Sequence, residues 1–250
     1  MNKQVFDKLS EFNSITLQEM DGVKLMDRTD TKFTFNINEL PIILEEAKNH
    51  YRILKIEGNR ISRYKTLYFD TQNFALYNQH HCGKLNRYKI RHRTYVESNI
   101  GFLEVKFKNN KGRTLKTRIK EVEVPQLNTG RAFEFLKKML PFDPLILLPK
   151  IWINYSRITL VNNVSAERLT LDLNLEFERD GKTDLFDQLV IAEVKQDSKI
   201  ASPFITIMRN KHIQEGSISK YCFGVASSYA EVKKNNFKRK LSNVKKIINS

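Results

Sequence analysis

Apolar and polar side chains alternate with a period of two through much of this chain, which is the pattern of strands with one packed and one polar face. The clearest run is 167–178, where Arg168, Thr170, Asp172, Asn174, Glu176 and Glu178 alternate with Leu169, Leu171, Leu173, Leu175 and Phe177. The pattern predicts eight strands, at about 28–36, 62–70, 86–95, 101–109, 113–124, 150–161, 167–179 and 189–197. Helical spacing predicts a helix over 38–51 with Asn38 as its N-cap. A second covers 129–139, capped by Thr129 with Ala132, Phe135, Leu136 and Met139 as its apolar stripe. A third runs over 203–231, opening after Ser202 with Pro203 in its first turn and interrupted near Gly216. The tight NNKG connection at 109–112 argues for antiparallel hairpins, and no internal repeat is visible. The expected fold is mainly β (α+β): one domain over 1–232, an eight-stranded antiparallel closed tunnel or barrel with flanking helices and a C-terminal helical segment. Residues 233–250 are expected to be a basic tail, either frayed or weakly helical.

Which side of the strands faces water is not fixed by alternation. The polar parity carries Arg28, Asp30, Lys32 and Thr34 on the first strand; Arg87, Lys89, Arg91 and Arg93 on the third; Glu104, Lys106 and Lys108 on the fourth. It continues with Lys116, Arg118 and Lys120 on the fifth and with Glu193 and Lys195 on the eighth. These faces either meet bulk solvent while the apolar faces pack, or line a wet tunnel whose apolar faces pack outward against helices. Exposed strand faces usually mix Thr, Ser, Glu, Gln and Lys. Heavy use of Arg among scattered carboxylates favours the tunnel, because guanidinium forks match phosphate oxygens and a carboxylate among them can hold Mg²⁺ or Mn²⁺. A linear phosphate chain is the ligand this chemistry suits.

Charge agrees with that choice. The 250 residues carry a net +15; residues 233–250 hold seven of the cations and no acid, yet the remainder is still basic. Nucleic acid, an anionic surface and a polyanionic small molecule are the candidate partners. Nucleic acid is disfavoured because Phe33, Phe35, Tyr88 and Phe177 fall on the apolar parity, away from the cations. Two cysteines, Cys82 and Cys222, are too few for a disulfide framework, and no apolar leader or spanning segment is visible, so a cytoplasmic location is expected. No P-loop, Rossmann fingerprint or nucleophile elbow occurs. His80 and His81 beside Cys82 lack the spacing of a zinc site, and His80 is better read as a phosphate donor at a tunnel mouth.

A more specific indication comes from ordered motifs. TKF (31–33), YFDT (68–71), NRYKIRHRTY (86–95), FLEVKFK (102–108), GRTLKTRI (112–119), INYSRITL (153–160), ERLTLDLNLEFE (167–178), IAEVKQ (191–196), SPF (202–204) and SISKY (217–221) follow one another along the chain. Over about residues 25–225 this order resembles the VTC-type polyphosphate polymerase domain of the CYTH-like triphosphate tunnel metalloenzymes. The resemblance implies a metal-dependent phosphotransferase that moves the terminal phosphate of a nucleoside triphosphate, ATP by expectation, to a growing polyphosphate chain. It also implies phosphate-contacting roles for Lys32, Arg91, Arg93, Lys106, Lys116, Arg157, Arg168, Ser219 and Lys220, with Glu193 as ligand to Mn²⁺ or Mg²⁺. Arg157 shares the parity of Ile153 and Tyr155, so alternation alone does not select it. The hydrolytic branch opens with ExExK, whereas this chain reads Arg28, Asp30, Lys32, which favours polymerase over tripolyphosphatase. His80 and Ser217 replace basic residues of eukaryotic relatives. A hydrolase of the same fold and a non-catalytic polyphosphate binder stay open as alternatives, and control or export is left to other chains, a membrane-protein partner among them.

Overall fold

All eight predicted strands form and hydrogen-bond in one continuous path. A computed structural model describes residues 3–21, 29–196 and 200–249; Arg28 lies outside them. The chain opens with α1 (Lys3–Ser10), a two-residue β1 (Ser14–Ile15) and α2 (Leu17–Asp21), followed by β2 (Thr29–Asn36), α3 (Leu40–Ala47) and β3 (Tyr51–Leu54). Next come β4 (Ser62–Thr71), α4 (Ala75–His81), β5 (Arg87–Tyr95), β6 (Ile100–Lys108), β7 (Thr114–Lys120) and α5 (Gly130–Met139). The long pair β8 (Leu147–Asn162) and β9 (Glu167–Arg179) leads to β10 (Lys182–Phe186) and β11 (Leu189–Gln196). Helices α6 (Pro203–Asn210), α7 (Lys220–Ser228) and α8 (Lys238–Ile248) finish the chain. The main path runs β2-β11-β9-β8-β4-β5-β6-β7, antiparallel throughout, with the short β1, β3 and β10 attached at its side.

The expected closure is absent: among the described residues β2 and β7 are the two ends of the path and do not pair. Cations stand at both ends of the path, Lys32 on β2 beside Glu193 and Lys116 and Arg118 on β7 beside Lys106 and Glu104. The sheet is curled, with an open seam.

The convex face carries the expected packing. Phe33, Phe35, Ile158, Leu160, Leu169, Leu171, Leu173, Val190, Ala192 and Val194 are buried against α1, α3 and α6. Leu67, Phe69, Ile90, Leu103 and Val105 pack on Leu136 of α5. The helix expected over 38–51 is shorter at both ends: Asn36 rather than Asn38 caps, accepting from the Asn38 amide at 3.0 Å, but what it caps is a 3₁₀ turn over Ile37–Glu39, the α-helix begins only at Leu40 with Pro41 in its first turn, and Tyr51 already belongs to β3. The helix expected over 203–231 splits into α6 and α7; the Ser202 hydroxyl caps the first, accepting from the Ile205 amide at 3.2 Å.

The concave face departs from the sequence pattern in an informative way. At one end it is polar, but at the other it is apolar: Ile151, Ile153 and Tyr155 on β8 and Leu189 and Ile191 on β11 share one cluster with α7. Alternation along β9 breaks at Asn174, whose φ is +49° and where the register with β8 shifts, a β-bulge. Beyond it Leu175 and Phe177 turn into the concavity, so the expected placement of Phe177 on the convex parity is corrected. Helix α7 fills this apolar end, and Tyr221, Cys222, Val225 and Ala226 are buried there. Gly224 permits the approach, since a Cβ would meet the Phe177 ring at 2.9 Å and Ile151 Cδ1 at 3.1 Å. Residues 235–248 also pack: Val244 of α8 joins the cluster, and the Asn36 side-chain amide donates to the Ile247 carbonyl at 2.7 Å. Among the described residues no helix is long and apolar enough to cross a membrane.

Replacing Gly224 with Val should push α7 off the sheet and cost about 1–3 kcal/mol in urea unfolding. A change below measurement error would mean that the helix does not pack this closely.

Candidate active site

At the polar end cations outnumber carboxylates, and each central carboxylate is shared between two of them. Asp172 on β9 accepts from Arg157 Nε at 2.6 Å and Nη2 at 2.8 Å and also from the Lys220 ammonium. Glu104 on β6 accepts from Arg91 Nε at 2.5 Å and pairs with Lys116 Nζ at 2.7 Å. Glu193 on β11 accepts from Lys195 and lies 3.4 Å from Lys32 Nζ. Burial alone would raise all three carboxyls. The cations prevail: Arg91, Arg93 and Lys116 bring Glu104 to about 2, Lys195 and Lys32 bring Glu193 to about 2, and Arg157 and Lys220 hold Asp172 well below the carboxylate range. All three are therefore ionised at neutral pH.

The cations also rest on aromatic faces, which the sequence pattern did not anticipate. The Arg157 guanidinium stands 5.1 Å from the Tyr64 ring and 5.4 Å from Tyr155; Arg93 stands 5.5 Å from Tyr64, and the Lys220 ammonium 4.9 Å from Tyr155. Arg93 Nε donates to the Thr66 hydroxyl at 3.4 Å. Tyr64 and Tyr155 are stacked at 5.1 Å, as are Tyr68 and Tyr221 at 4.9 Å, so these rings are already covered rather than open platforms for bases. The Tyr155 hydroxyl is buried with no hydrogen-bond partner among the described residues. Tyr68 accepts from Arg91 Nη1 at 3.1 Å; burial raises its pKa, but Arg91, Arg93 and Lys89 outweigh burial and bring it to about 8.

Helix α7 delivers its first residues to this end. The Ser219 hydroxyl accepts from the Cys222 amide at 3.3 Å, capping the helix, and from Lys89 Nζ at 2.8 Å. Lys32 Nζ donates to the Ile218 carbonyl at 3.3 Å. The Tyr221 hydroxyl donates to Asp70 on β4, whose carboxylate also accepts from the Leu76 and Tyr77 amides at the start of α4 at 2.9 and 2.8 Å. That helix carries His80. Burial first, then Lys89, Arg87, Lys106 and Lys108, lower His80 to about 2, so it is a neutral donor rather than a cation. Lys106 has no carboxylate within ion-pair distance among the described residues; desolvation and the charges of Lys89, Lys32 and Arg91 lower it to about 8 against the pull of Glu193. Lys32 and Glu193 stand on the opposite side of the curl from Lys106, so the polar ends of β2, β11 and β6 face one another.

The curl thus brings Lys32, His80, Arg91, Lys106, Arg157, Glu193, Ser219 and Lys220 around one basic concavity. Arg93 lies deeper, between Thr66 and Tyr64; Lys116 lies on the exposed edge strand; and Arg168 stands at the start of β9 opposite Lys195, on the parity of Asp172. Arg157 needs no bulge on its own strand, since the same face of β8 passes from Ile151, Ile153 and Tyr155 to Arg157. Lys89, on the polar parity but not among the phosphate contacts that the resemblance implies, is central: its ammonium donates to Ser219 at the start of α7. Tyr64, Tyr68 and Tyr155 were missed because they share the polar parity while looking apolar; only the YxTxY spacing of Tyr64, Thr66 and Tyr68 on β4, with Tyr155 on the neighbouring strand, could have signalled them.

An open-sided basic β-tunnel with an internal helix defines the class. The VTC domain matches residues 27–229, and the chain belongs to that family. No curated protein sequence matches it significantly. Among solved structures it is similar to a Hippeastrum protein provisionally assigned as an adenylyl cyclase and described as having a dominant triphosphatase activity, with 14% identity, a TM-score of 0.49, and 82% of this chain and 98% of that one covered. It is similar also to proteins provisionally assigned as adenylate cyclases from Bacillus halodurans (15% identity, TM-score 0.47, 85% and 100% covered) and Vibrio parahaemolyticus (13%, 0.46, 78% and 96%).

Replacing Asp172 with Asn leaves Arg157 and Lys220 buried without their shared counter-ion and should cost about 3–5 kcal/mol of unfolding free energy. A loss under about 1 kcal/mol would mean that the pair is not what holds β8, β9 and α7 together.

Proposed function

We propose that the protein is a polyphosphate polymerase that transfers the terminal phosphate of a nucleoside triphosphate to a growing phosphate chain within this concavity. The observation that carries the reading is the deficit of negative charge. Arg157 and Lys220 share one carboxylate, Arg91 and Lys116 share another, Lys32 and Lys195 a third, while Lys89 and Lys106 have no carboxylate partner among the described residues. A bound polyphosphate supplies the missing charge, and membership of the VTC family accords with that ligand.

In this reading Arg91, Arg93, Arg157 and Arg168 grip the β- and γ-phosphates, with Ser219 and Lys220 at the start of α7 beside them. Lys32, Lys106 and Lys116 steer the accepting chain, and His80 offers a neutral N–H at the mouth. A terminal oxygen of the chain forms a bond to the γ-phosphorus as the bridging β–γ oxygen bond breaks; the nucleoside diphosphate leaves with that electron pair, and the chain is one phosphate longer. The attacking phosphate is already anionic at neutral pH, so no strong general base is needed. Positioning and charge neutralisation do the chemistry.

Mg²⁺ or Mn²⁺ fits one position. No three His, Cys, Asp or Glu side chains group for a metal among the described residues, so a protein-only cage is lacking, but such ions bind through one carboxylate together with phosphate oxygens and water. Glu193, ionised and partly accessible, would hold the ion as it arrives with the triphosphate, in exchange for Lys195. When bound, the ion would neutralise charge building on the phosphate oxygens.

Incubation with ATP and Mn²⁺ should yield long-chain polyphosphate on a gel, and Arg91→Ala or Glu193→Ala should lower the rate by about 10²- to 10³-fold. Orthophosphate without polymer would select the hydrolase, and binding without turnover the binding module. The charge reading also fixes a pH dependence. As pH rises from 7 to 9, Lys106 loses its positive charge and Tyr68 gains a negative one, both near 8, so tripolyphosphate binding measured by calorimetry should weaken by about tenfold, less in Lys106→Arg. An affinity flat across that range would contradict it.

A further inference from the structure

The C-terminal segment is the most basic part of the chain and is fastened to both elements that bring residues to the mouth. Residues 233–250 contain seven Lys and Arg and no acid. The Asn236 amide donates to His81 Nε2 at 3.2 Å and its side chain to the His81 carbonyl at 2.8 Å, on the helix that carries His80. Lys240 Nζ donates to the Ser217 hydroxyl at 2.6 Å, two residues before Ser219. Helix α8 is sharply two-sided. Leu241, Val244, Ile247 and Ile248 pack on the inner cluster, while Lys238, Arg239, Lys245 and Lys246 are exposed on the opposite side. Lys238 and Lys245, and Arg239 and Lys246, are seven residues apart, so they form two parallel rows running about 10 Å along the helix.

We propose that this exposed face is a docking track for the part of a polyphosphate chain that lies outside the concavity, holding a long product close to the enzyme between transfers. The inference rests on the reading of the concavity as a polyphosphate site and extends it to a second surface. A solvated basic face would need neither the apolar anchoring nor the two ties to the mouth, and a linear polyanion continuous with the chain inside the curl has the charge and the shape to run along it. Several weak contacts on one chain act together, since each engagement raises the effective concentration of the next phosphate.

The test uses the full chain and two probes that differ in length, tripolyphosphate and long-chain polyphosphate. The quadruple variant Lys238→Gln, Arg239→Gln, Lys245→Gln, Lys246→Gln keeps the apolar anchors and touches no residue of the concavity. Long-chain affinity should fall by about tenfold or more with a shallower dependence on salt, while tripolyphosphate affinity and the thermal midpoint stay unchanged. Unchanged long-chain affinity, or an equal loss for both probes, overturns the proposal. So does binding of phosphatidylserine vesicles that the variant loses and long-chain polyphosphate does not compete away, since the face would then serve a membrane. Binding is read without turnover, so a protein that makes no polymer yet shows the length-dependent loss refutes the polymerase and leaves the track standing.

Discussion

Asp172 offers one buried carboxylate to two cations, Arg157 on β8 and Lys220 at the start of α7, and the concave face depends on that unequal sharing. One negative charge lets two positive ones approach, fixes the guanidinium through two parallel bonds, and ties the helix to the sheet at its first residue. Glu104 and Glu193 repeat the device on β6 and β11. Fewer carboxylates would leave the cations to repel one another and open the curl; more would cancel the field that attracts a polyanion. The polar end of the concave face is held together by charge that is short of balance.

The same face explains how a helix comes to lie inside a sheet. Each of β8, β9 and β11 is apolar at one end of its concave side and polar at the other, so α7 can bury Tyr221, Val225 and Ala226 while presenting Ser219 and Lys220 to the cations. Packing fixes the helix axis and hydrogen bonds fix its rotation. Asp70 adds the link to α4, accepting from the Tyr221 hydroxyl and from two amides of that helix, so His80 and Lys220 are positioned through one buried side chain. A change in the hydrophobic cluster thereby reaches the site through short, named contacts.

Most of the fold is legible in the sequence because period-two alternation survives on the convex face, where Leu169, Leu171 and Leu173, or Val190, Ala192 and Val194, pack on helices. The parity of Arg91, Lys106, Glu193 and Lys32 is legible for the same reason. Three things are not. The bulge at Asn174 reverses the facing of Leu175 and Phe177, and no local composition announces it. Helix α7 inside the curl turns Ile151, Ile153 and Tyr155 into concave residues, so an apolar side chain no longer means the outer face. Closure concerns the two ends of the path, which alternation within strands cannot report; among the described residues β2 and β7 do not pair, where eight alternating strands suggested a closed barrel. Arg157 was legible only through the family resemblance, and Tyr64 and Tyr68 only through the parity they share with Thr66.

The central claim is that the charge deficit of this concavity is made up by a triphosphate. A crystal structure with a non-hydrolysable nucleoside triphosphate tests it most directly. The account predicts phosphate oxygens within hydrogen-bond distance of Arg91 and Arg157, with Ser219 and Lys220 beside them at the start of α7. A triphosphate seated on the convex face or on α8 alone, with the Arg157–Asp172–Lys220 group untouched and the concavity holding only water, would contradict it.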